Sequence, residues 1–266
     1  LGAATGLGQF VVPIIGWLTT GSVHKYIEAV DHWLAFTMFF ILGLNVIIAA
    51  LRGEDENVKL PKKLKHLGEN CFNGCVGLTR MTIPKTVVST GYYAGAFSGC
   101  TNMEKIEIEE GMKTIPEKLF EYGDGIKEIV LPDSVVDVQD YAFDGCRSLK
   151  KIVFPDSVKS FGKGVLCGCT SLKEVQLPKN MEWLSYSMFV NCTLLEEIDI
   201  PDSVKVIDSC AFEGCTSLNG ISLPQSLKTI GGSAFRGCTS LEKIQLPDTT
   251  RQVQWNAFEN CESLNN

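Results

Sequence analysis

The chain has 266 residues, of which 45% are hydrophobic and 21% charged, and its formal net charge is −7. An acidic chain without a concentrated Lys/Arg cluster is a poor candidate for nucleic-acid binding, because binding to phosphates requires such a cluster. Its three histidines, His24, His32 and His66, are too few and too scattered for most histidine-based catalysis or zinc sites. The sequence begins at Leu1 and ends inside a repeat, so we expect it to be part of a longer protein.

The first segment is almost free of charge. Residues 1–23 and 33–51 carry no charged side chain, and only the short loop between them is polar. Nineteen helical residues span about 28 Å, close to the roughly 30 Å hydrocarbon core of a bilayer. The pattern predicts a transmembrane helical hairpin over residues 1–53, with the lipid bilayer as its partner. A buried helix pair of a soluble protein is the alternative, but two such stretches around one polar loop favour the membrane.

The lysines and arginines indicate an orientation. Basic residues after the second apolar segment outnumber the single Lys25 in the loop; they are Arg52, Lys59, Lys62, Lys63 and Lys65. By the positive-inside rule, the chain after Leu51 is therefore cytoplasmic and the hairpin lies in the inner cell membrane. An extracellular placement of the later residues is the alternative.

Two amides lie in these apolar segments. An unpaired amide is costly in a membrane, so Gln9 and Asn45 are expected to face a neighbouring helix or a wet pathway. The string Gln9-Phe-Val-Val-Pro-Ile-Ile-Gly-Trp17 precedes Tyr26-Ile-Glu-Ala-Val-Asp-His-Trp-Leu-Ala-Phe36 and an apolar helix ending at Gly53. In this order and spacing, the strings resemble the second and third helices of MntP-type manganese efflux pumps.

The resemblance implies a six-helix exporter of Mn²⁺ across the inner membrane. The family's intramembrane aspartates lie in its first and fourth helices, neither of which this sequence contains, so no metal ligand is carried over. Gln9 occupies a place where family members carry Gln or Glu, which makes it the first candidate for a transport pathway, and Asn45 is the second. No cofactor is expected, and Mn²⁺ enters only as a transported ion.

From Asp55 onward the chain repeats every 23 residues. Nine copies are recognisable, and they begin at Asp55, Leu78, Met103, Ile126, Leu149, Leu172, Leu195, Leu218 and Leu241. The Leu78 copy has two extra residues around Tyr92-Tyr93. One such unit cannot bury its own apolar face, so the repeats must stack. The prediction is a solenoid over residues 54–266 with about nine repeats and nine short parallel strands at roughly 4.8 Å spacing.

Within each copy, apolar residues recur at fixed positions. In the copy that starts at Leu195, positions 1, 4 and 6 form the inward side of the strand, and positions 10, 13, 17, 18 and 21 return to the same interior. The consensus L-x-x-I-x-L-P-x-S-V-x-x-I-x-x-x-A-F-x-G-C-x-S resembles the BspA-type (Treponema-type) leucine-rich repeats. Members of that family are mostly surface or secreted proteins that bind other proteins or host matrix.

Eight of the eleven cysteines occupy repeat position 21. Residues stacked at one position project in parallel, which suits small buried hydrophobes better than disulfide pairs. The odd total and the absence of histidine partners argue against a zinc site, so no metal site is predicted. Cys71, Cys167 and Cys210 fall outside the column and are interpreted as chance additions. Free thiols fit a reducing compartment.

The outward strand positions 3 and 5 are the candidate partner surface. Their side chains are polar or β-branched, and the candidates are Glu128, Val130, Lys151, Val153, Glu174, Gln176, Glu197, Asp199, Ser222, Lys243 and Gln245. A solenoid face of this kind can bind a protein partner, whose identity the sequence does not give. A merely solvated strand face of mixed charge is an equally good interpretation.

No catalytic set of residues is recognisable, so the chain is not predicted to be an enzyme. The first hypothesis is a fusion in which part of a manganese exporter carries a leucine-rich-repeat domain that binds a protein. The second is a membrane-anchored or cell-surface adhesion protein without transport activity. A third is that two unrelated reading frames have been joined artificially near residues 51–55.

Overall fold

The computed structural model describes residues 57–265. The predicted hairpin, together with Gln9 and Asn45, lies outside the described residues. Between residues 57 and 265, no helix has the length and apolar character needed to cross a membrane. The described part is built from strands and turns, in 23-residue coils that follow the sequence repeat.

One parallel sheet is formed by repeat positions 3–5. Its order, β1-β3-β5-β7-β9-β11, places each strand beside the equivalent strand of the next repeat. The alternation of inward and outward side chains is visible in β5, where Ile106 and Ile108 are buried and Glu107 is exposed. The strands are Asn57–Lys59 (β1), Arg80–Ile83 (β3), Lys105–Ile108 (β5), Glu128–Val130 (β7), Lys151–Val153 (β9) and Glu174–Gln176 (β11).

The prediction of nine strands in this sheet is wrong for the last three repeats. There the chain keeps the same path but forms only isolated parallel bridges, Asp199 with Ser222 and Gly220 with Lys243. Gly220 has no side chain to pack beside its neighbours, which weakens strand pairing at this point. The solenoid of about nine coils is confirmed, whereas its continuous ladder covers six of them.

A second wall of very short strands lies at repeat positions 12–13. The sequence pattern did not predict it, because two residues are too few to show an alternation. These strands also pair in parallel, in three separate sheets. They are His66–Leu67 (β2), Ser89–Thr90 (β4), Thr114–Ile115 (β6), Asp137–Val138 (β8), Ser160–Phe161 (β10), Trp183–Leu184 (β12), Val206–Ile207 (β13), Thr229–Ile230 (β14) and Gln252–Val253 (β15).

The phenylalanines of position 18 form a ladder through the core. Neighbouring rings are nearly parallel, with centroids 5.1–5.7 Å apart in both halves of the described solenoid. Leu166 interrupts the ladder, and there Phe154 from position 6 approaches Phe143 instead, at 6.3 Å. Phe154 in turn meets Phe161 edge-on at 4.9 Å. The core is therefore filled at the interruption by a different pair of rings.

Six of the eight cysteines in the column are buried, and Cys75 and Cys261 at its two ends are half-buried. All eleven cysteines are free, and the thiols of Cys146, Cys169, Cys192, Cys215 and Cys238 belong to fully buried residues. Each thiol donates a hydrogen bond of 3.1–3.2 Å to the position-18 carbonyl of the preceding repeat, as Cys215 does to Phe189. The column therefore joins successive coils by weak hydrogen bonds as well as by packing.

Hydroxyl groups at position 9 form a second inter-coil row. The hydroxyl of Ser203 lies 2.7 Å from the carbonyls of both Lys179 and Met181 in the preceding repeat. Thr249 makes the equivalent contacts with Gln225 and Leu227 at 2.7 and 2.9 Å. These carbonyls lie at the corner between the two walls, where no strand partner is available to them.

Candidate protein-binding face

The eleven predicted face residues are all exposed. We define the strand face as the outward side chains at positions 3 and 5. Parallel pairing brings Glu128, Lys151 and Glu174 into one row, and it places Val153 beside Gln176 in the next. Val130 lies one repeat before Val153 in the same register. The remaining candidates lie on the last three coils, where Asp199 and Ser222 form a bridge.

Charges in the position-3 row neutralise one another. The Lys151 ammonium lies 2.6 Å from a carboxylate oxygen of Glu174. Lys105 lies 3.1 Å from Glu107 and 3.5 Å from Glu128, and these two contacts raise the pKa of Lys105. Exposed pairs of this kind contribute little to stability, because water and salt screen them. Their main effect is a row without net charge in the middle of the face.

Two grooves lie on the strand face on either side of Lys151. One, of about 790 Å³, is lined by Val130, Val153 and Gln176 together with lysines and aspartates. The other, of about 800 Å³, reaches from Lys151 and Gln176 to Asp199. The side chains of Val130 and Val153 are 42% and 38% exposed. Two neighbouring exposed valines between polar rims match the composition of a protein-binding surface.

A row of lysines at position 2 lies beside the exposed valines Val130 and Val153. The sequence did not lead us to predict it. Lys127, Lys150 and Lys173 are exposed in three successive repeats and line the grooves. Lys127 pairs with Glu104 at 3.4 Å, while Lys150 and Lys173 form no ion pair within the described residues. Comparison of position 2 across the copies would have revealed this row.

The thiols are poor nucleophiles, because few of them are ionised. Burial raises the pKa of each of the eleven cysteines, to about 12 for Cys215, so thiolates are scarce at neutral pH. Cys167 and Cys210 are more than chance additions, since their thiols hydrogen-bond to the carboxyls of Asp144 and Glu213. Burial raises the pKa of Asp144 despite this bond, whereas hydrogen bonds from Arg236 and Cys210 outweigh burial and lower the pKa of Glu213. Within residues 57–265, no group of three or more His, Cys, Asp or Glu side chains has the arrangement of a metal site.

The stacked coils define a leucine-rich-repeat solenoid, and comparison with known proteins identifies its family. The model of the "BspA type Leucine rich repeat region" matches residues 54–164 and 136–265, in six copies. The chain belongs to this family. A leucine-rich repeat protein from Bacteroides ovatus aligns with a TM-score of 0.64 and 29% identity, over 78% of this chain and 62% of that protein. One from Eubacterium ventriosum has the same fold, with a TM-score of 0.53 and 22% identity, over 77% of this chain and 82% of that protein.

The first residues match a different family. The model named "Putative manganese efflux pump" covers residues 1–74. The MntP protein of Desulfovibrio desulfuricans is 44% identical over 52 residues, which are 20% of this chain and 27% of that protein. The MntP protein of Xanthomonas euvesicatoria pv. vesicatoria is 36% identical over 72 residues, 25% of this chain and 37% of that protein. The chain thus spans about a third or less of these relatives.

Both resemblances noted in the sequence are confirmed, and neither family is an enzyme family. The two matches overlap over residues 54–74, so the domain boundary at residues 53 and 54 stays a prediction.

Proposed function

We propose that the chain is a membrane-bound fusion in which an exporter-derived hairpin carries a solenoid that binds a protein partner through the strand face. The observation that carries the binding role is the pair of exposed valines, Val130 and Val153, that line one of the two grooves on the strand face. The match of residues 1–74 to the efflux-pump family supports the membrane role. The excess of basic residues after Leu51 supports a cytoplasmic position of the repeats. In this proposal Gln9 and Asn45 line the part of the Mn²⁺ pathway that the hairpin supplies.

Partner binding is tested by comparing two variants in cells that make the full chain. The double substitution Val130→Asp with Val153→Asp places charge at the two exposed valines. We expect it to abolish a specific cross-linked adduct between the solenoid and its protein partner. Val88→Asp with Val136→Asp is the matched control on the second wall and should leave the adduct in place. An adduct that survives in both variants contradicts binding through the strand face.

The membrane role is tested by deleting residues 1–53 in the natural host. We expect a lower tolerance to Mn²⁺ and a higher cellular Mn²⁺ content, and Gln9→Ala should produce part of the same effect. Unchanged tolerance together with unchanged Mn²⁺ content contradicts a contribution to export. Protease treatment of intact cells tests the orientation, because degradation of the repeats from outside would favour a surface adhesion protein.

A further inference from the structure

A row of basic side chains runs along the second wall at repeat position 11. Over nine repeats this position holds six basic residues, two valines and one glutamate, although the whole chain is acidic. We call these six residues the basic row: Lys65, Lys113, Lys159, Lys205, Lys228 and Arg251. Five of them are exposed and Lys228 is half-buried.

Backbone hydrogen bonds hold the row in register. The amide of Lys228 donates to the carbonyl of Lys205, and that of Arg251 to the carbonyl of Lys228, at 2.7 and 2.8 Å. Lys159 is joined in the same way to Val136 at 2.9 Å. Successive side chains therefore project side by side, at about the spacing of strands in a sheet, roughly 4.8 Å. From the first to the last repeat, the row is roughly 40 Å long.

Most members of the basic row have no ion-pair partner among the described residues. Among the described residues, its only ion pair is Lys205 with Glu182, at 2.8 Å. In four consecutive repeats of the position-3 row, by contrast, the charges alternate in sign, and Lys105 pairs with Glu128 and Lys151 with Glu174. Like charges placed directly opposite each other on adjacent strands destabilise a sheet. Lys205, Lys228 and Arg251 nevertheless stack in three successive repeats, so an external anion would reduce the repulsion between them.

Exposed apolar side chains accompany the row. The indole of Trp183 is 44% exposed on β12, which pairs with the strand that follows Lys205. Val88, at the same repeat position as the basic row, is also exposed, and its amide donates to the carbonyl of Lys65 at 2.9 Å. Lysines with an interspersed tryptophan are typical of surfaces that rest on the headgroup region of a bilayer.

We propose that the outer surface of the second wall docks on the anionic headgroups of a lipid bilayer. This inference rests on the proposed membrane hairpin, which ends four residues before β1 and would keep the solenoid at a bilayer surface. A row that extends over all nine repeats fits a flat, extended anionic surface better than a compact ligand. Docking through this wall leaves the strand face, on the other wall of each coil, open to a protein partner.

The test is amine footprinting of the full chain reconstituted in two kinds of lipid nanodisc. One kind contains phosphatidylcholine alone, and the other an equal mixture of phosphatidylcholine and phosphatidylglycerol. We expect acylation of Lys159, Lys205 and Lys228 to fall severalfold in the anionic discs and to recover at high salt. The lysines of position 2, Lys127, Lys150 and Lys173, are the internal control and should label equally in both.

A charge-neutralised variant provides the second measurement. Lys205→Gln, Lys228→Gln and Arg251→Gln together should abolish the lipid-dependent protection of Lys159. The matched triple variant Lys127→Gln, Lys150→Gln and Lys173→Gln removes the same charge from position 2, beside the strand face, and should preserve that protection. Footprinting of the unmodified chain remains decisive even if a variant does not fold.

The outcomes separate this inference from the proposed function. Insertion into both kinds of disc without any difference in labelling overturns docking while leaving the hairpin intact. Failure to insert into either kind overturns the membrane role itself. Protection of the basic row by a soluble polyanion such as heparin, but not by anionic lipid, would overturn the bilayer as the partner.

Discussion

At the scale of single residues, the solenoid is held together by side chains whose partners lie 22–26 residues away, in the neighbouring coil. The thiol of Cys192, for example, donates to the carbonyl of Leu166 at 3.2 Å, and the hydroxyl of Ser203 contacts two carbonyls at 2.7 Å. Side chains such as these, at positions 9 and 21, satisfy backbone groups of the coil before them. The repeat consensus therefore specifies hydrogen-bonding groups as well as volumes.

The substitution Ser203→Ala should show how much such a hydrogen bond contributes to the free energy of unfolding. Its hydroxyl is half-buried and bridges the carbonyls of Lys179 and Met181, so we expect the free energy of unfolding to fall by about 1 kcal/mol. Urea unfolding followed by circular dichroism measures the difference. Ser222→Ala is the control, because Ser222 is exposed on the strand face. Equal effects of the two substitutions would contradict a structural role for the position-9 hydroxyls.

The raised pKa of the buried thiols predicts a loss of stability at alkaline pH. Burial raises the pKa of Cys215 from 9.0 to about 12, so between these values the unfolded chain is ionised there and the folded chain is not. The folded state then binds more protons, and its stability is complete below pH 9 and falls as the pH rises toward 12. The urea midpoint should decline over this range, and less steeply in Cys215→Ala. An identical decline in both proteins would contradict the assignment.

At the scale of elements, the sequence predicted some rows well and others not at all. Positions with large apolar side chains were recognised directly, because Val204, Ile207 and Phe212 recur in every good copy and all are buried. The two-residue strands of the second wall were missed, since an alternation cannot be read from two residues. The basic row was missed for a related reason. Its members are ordinary exposed lysines in any one repeat, and only stacking makes them neighbours.

The interruption of the phenylalanine ladder is a test of packing between elements. Phe154 replaces the usual aliphatic residue at position 6 and contacts Phe143, where Leu166 leaves the ladder without a ring. Leu166→Phe alone should overpack the core and cost about 1–3 kcal/mol. The double variant Leu166→Phe with Phe154→Leu restores the consensus at both positions, and we expect it to recover most of the lost stability. A double-mutant cycle by urea unfolding gives the coupling, and strictly additive effects would contradict the compensation.

At the scale of the whole molecule, the described chain is a linear array, in which each coil contacts only its neighbours through the same set of rows. Its two walls differ in charge. The strand face is neutralised internally along position 3, whereas the second wall carries a basic row whose members mostly have no ion-pair partner among the described residues. On the proposals made above, this asymmetry assigns one surface of the solenoid to lipid and the other to a protein partner. The difference in charge between the two walls comes from exposed side chains, which do not pack in the core.

The linear array predicts that coils can be removed one at a time. Deleting residues 195–217 removes one whole repeat and brings the Leu172 copy next to the Leu218 copy. Residues at positions 9, 18 and 21 then keep equivalent partners in the neighbouring coil. We expect the shortened protein to unfold cooperatively, with a urea m-value reduced by about a ninth, because m scales with the surface exposed on unfolding. Deleting residues 195–207 removes a partial repeat, shifts every later row out of register and should prevent the last coils from folding. If both deletions were tolerated equally, the repeat period would not be what holds the solenoid together.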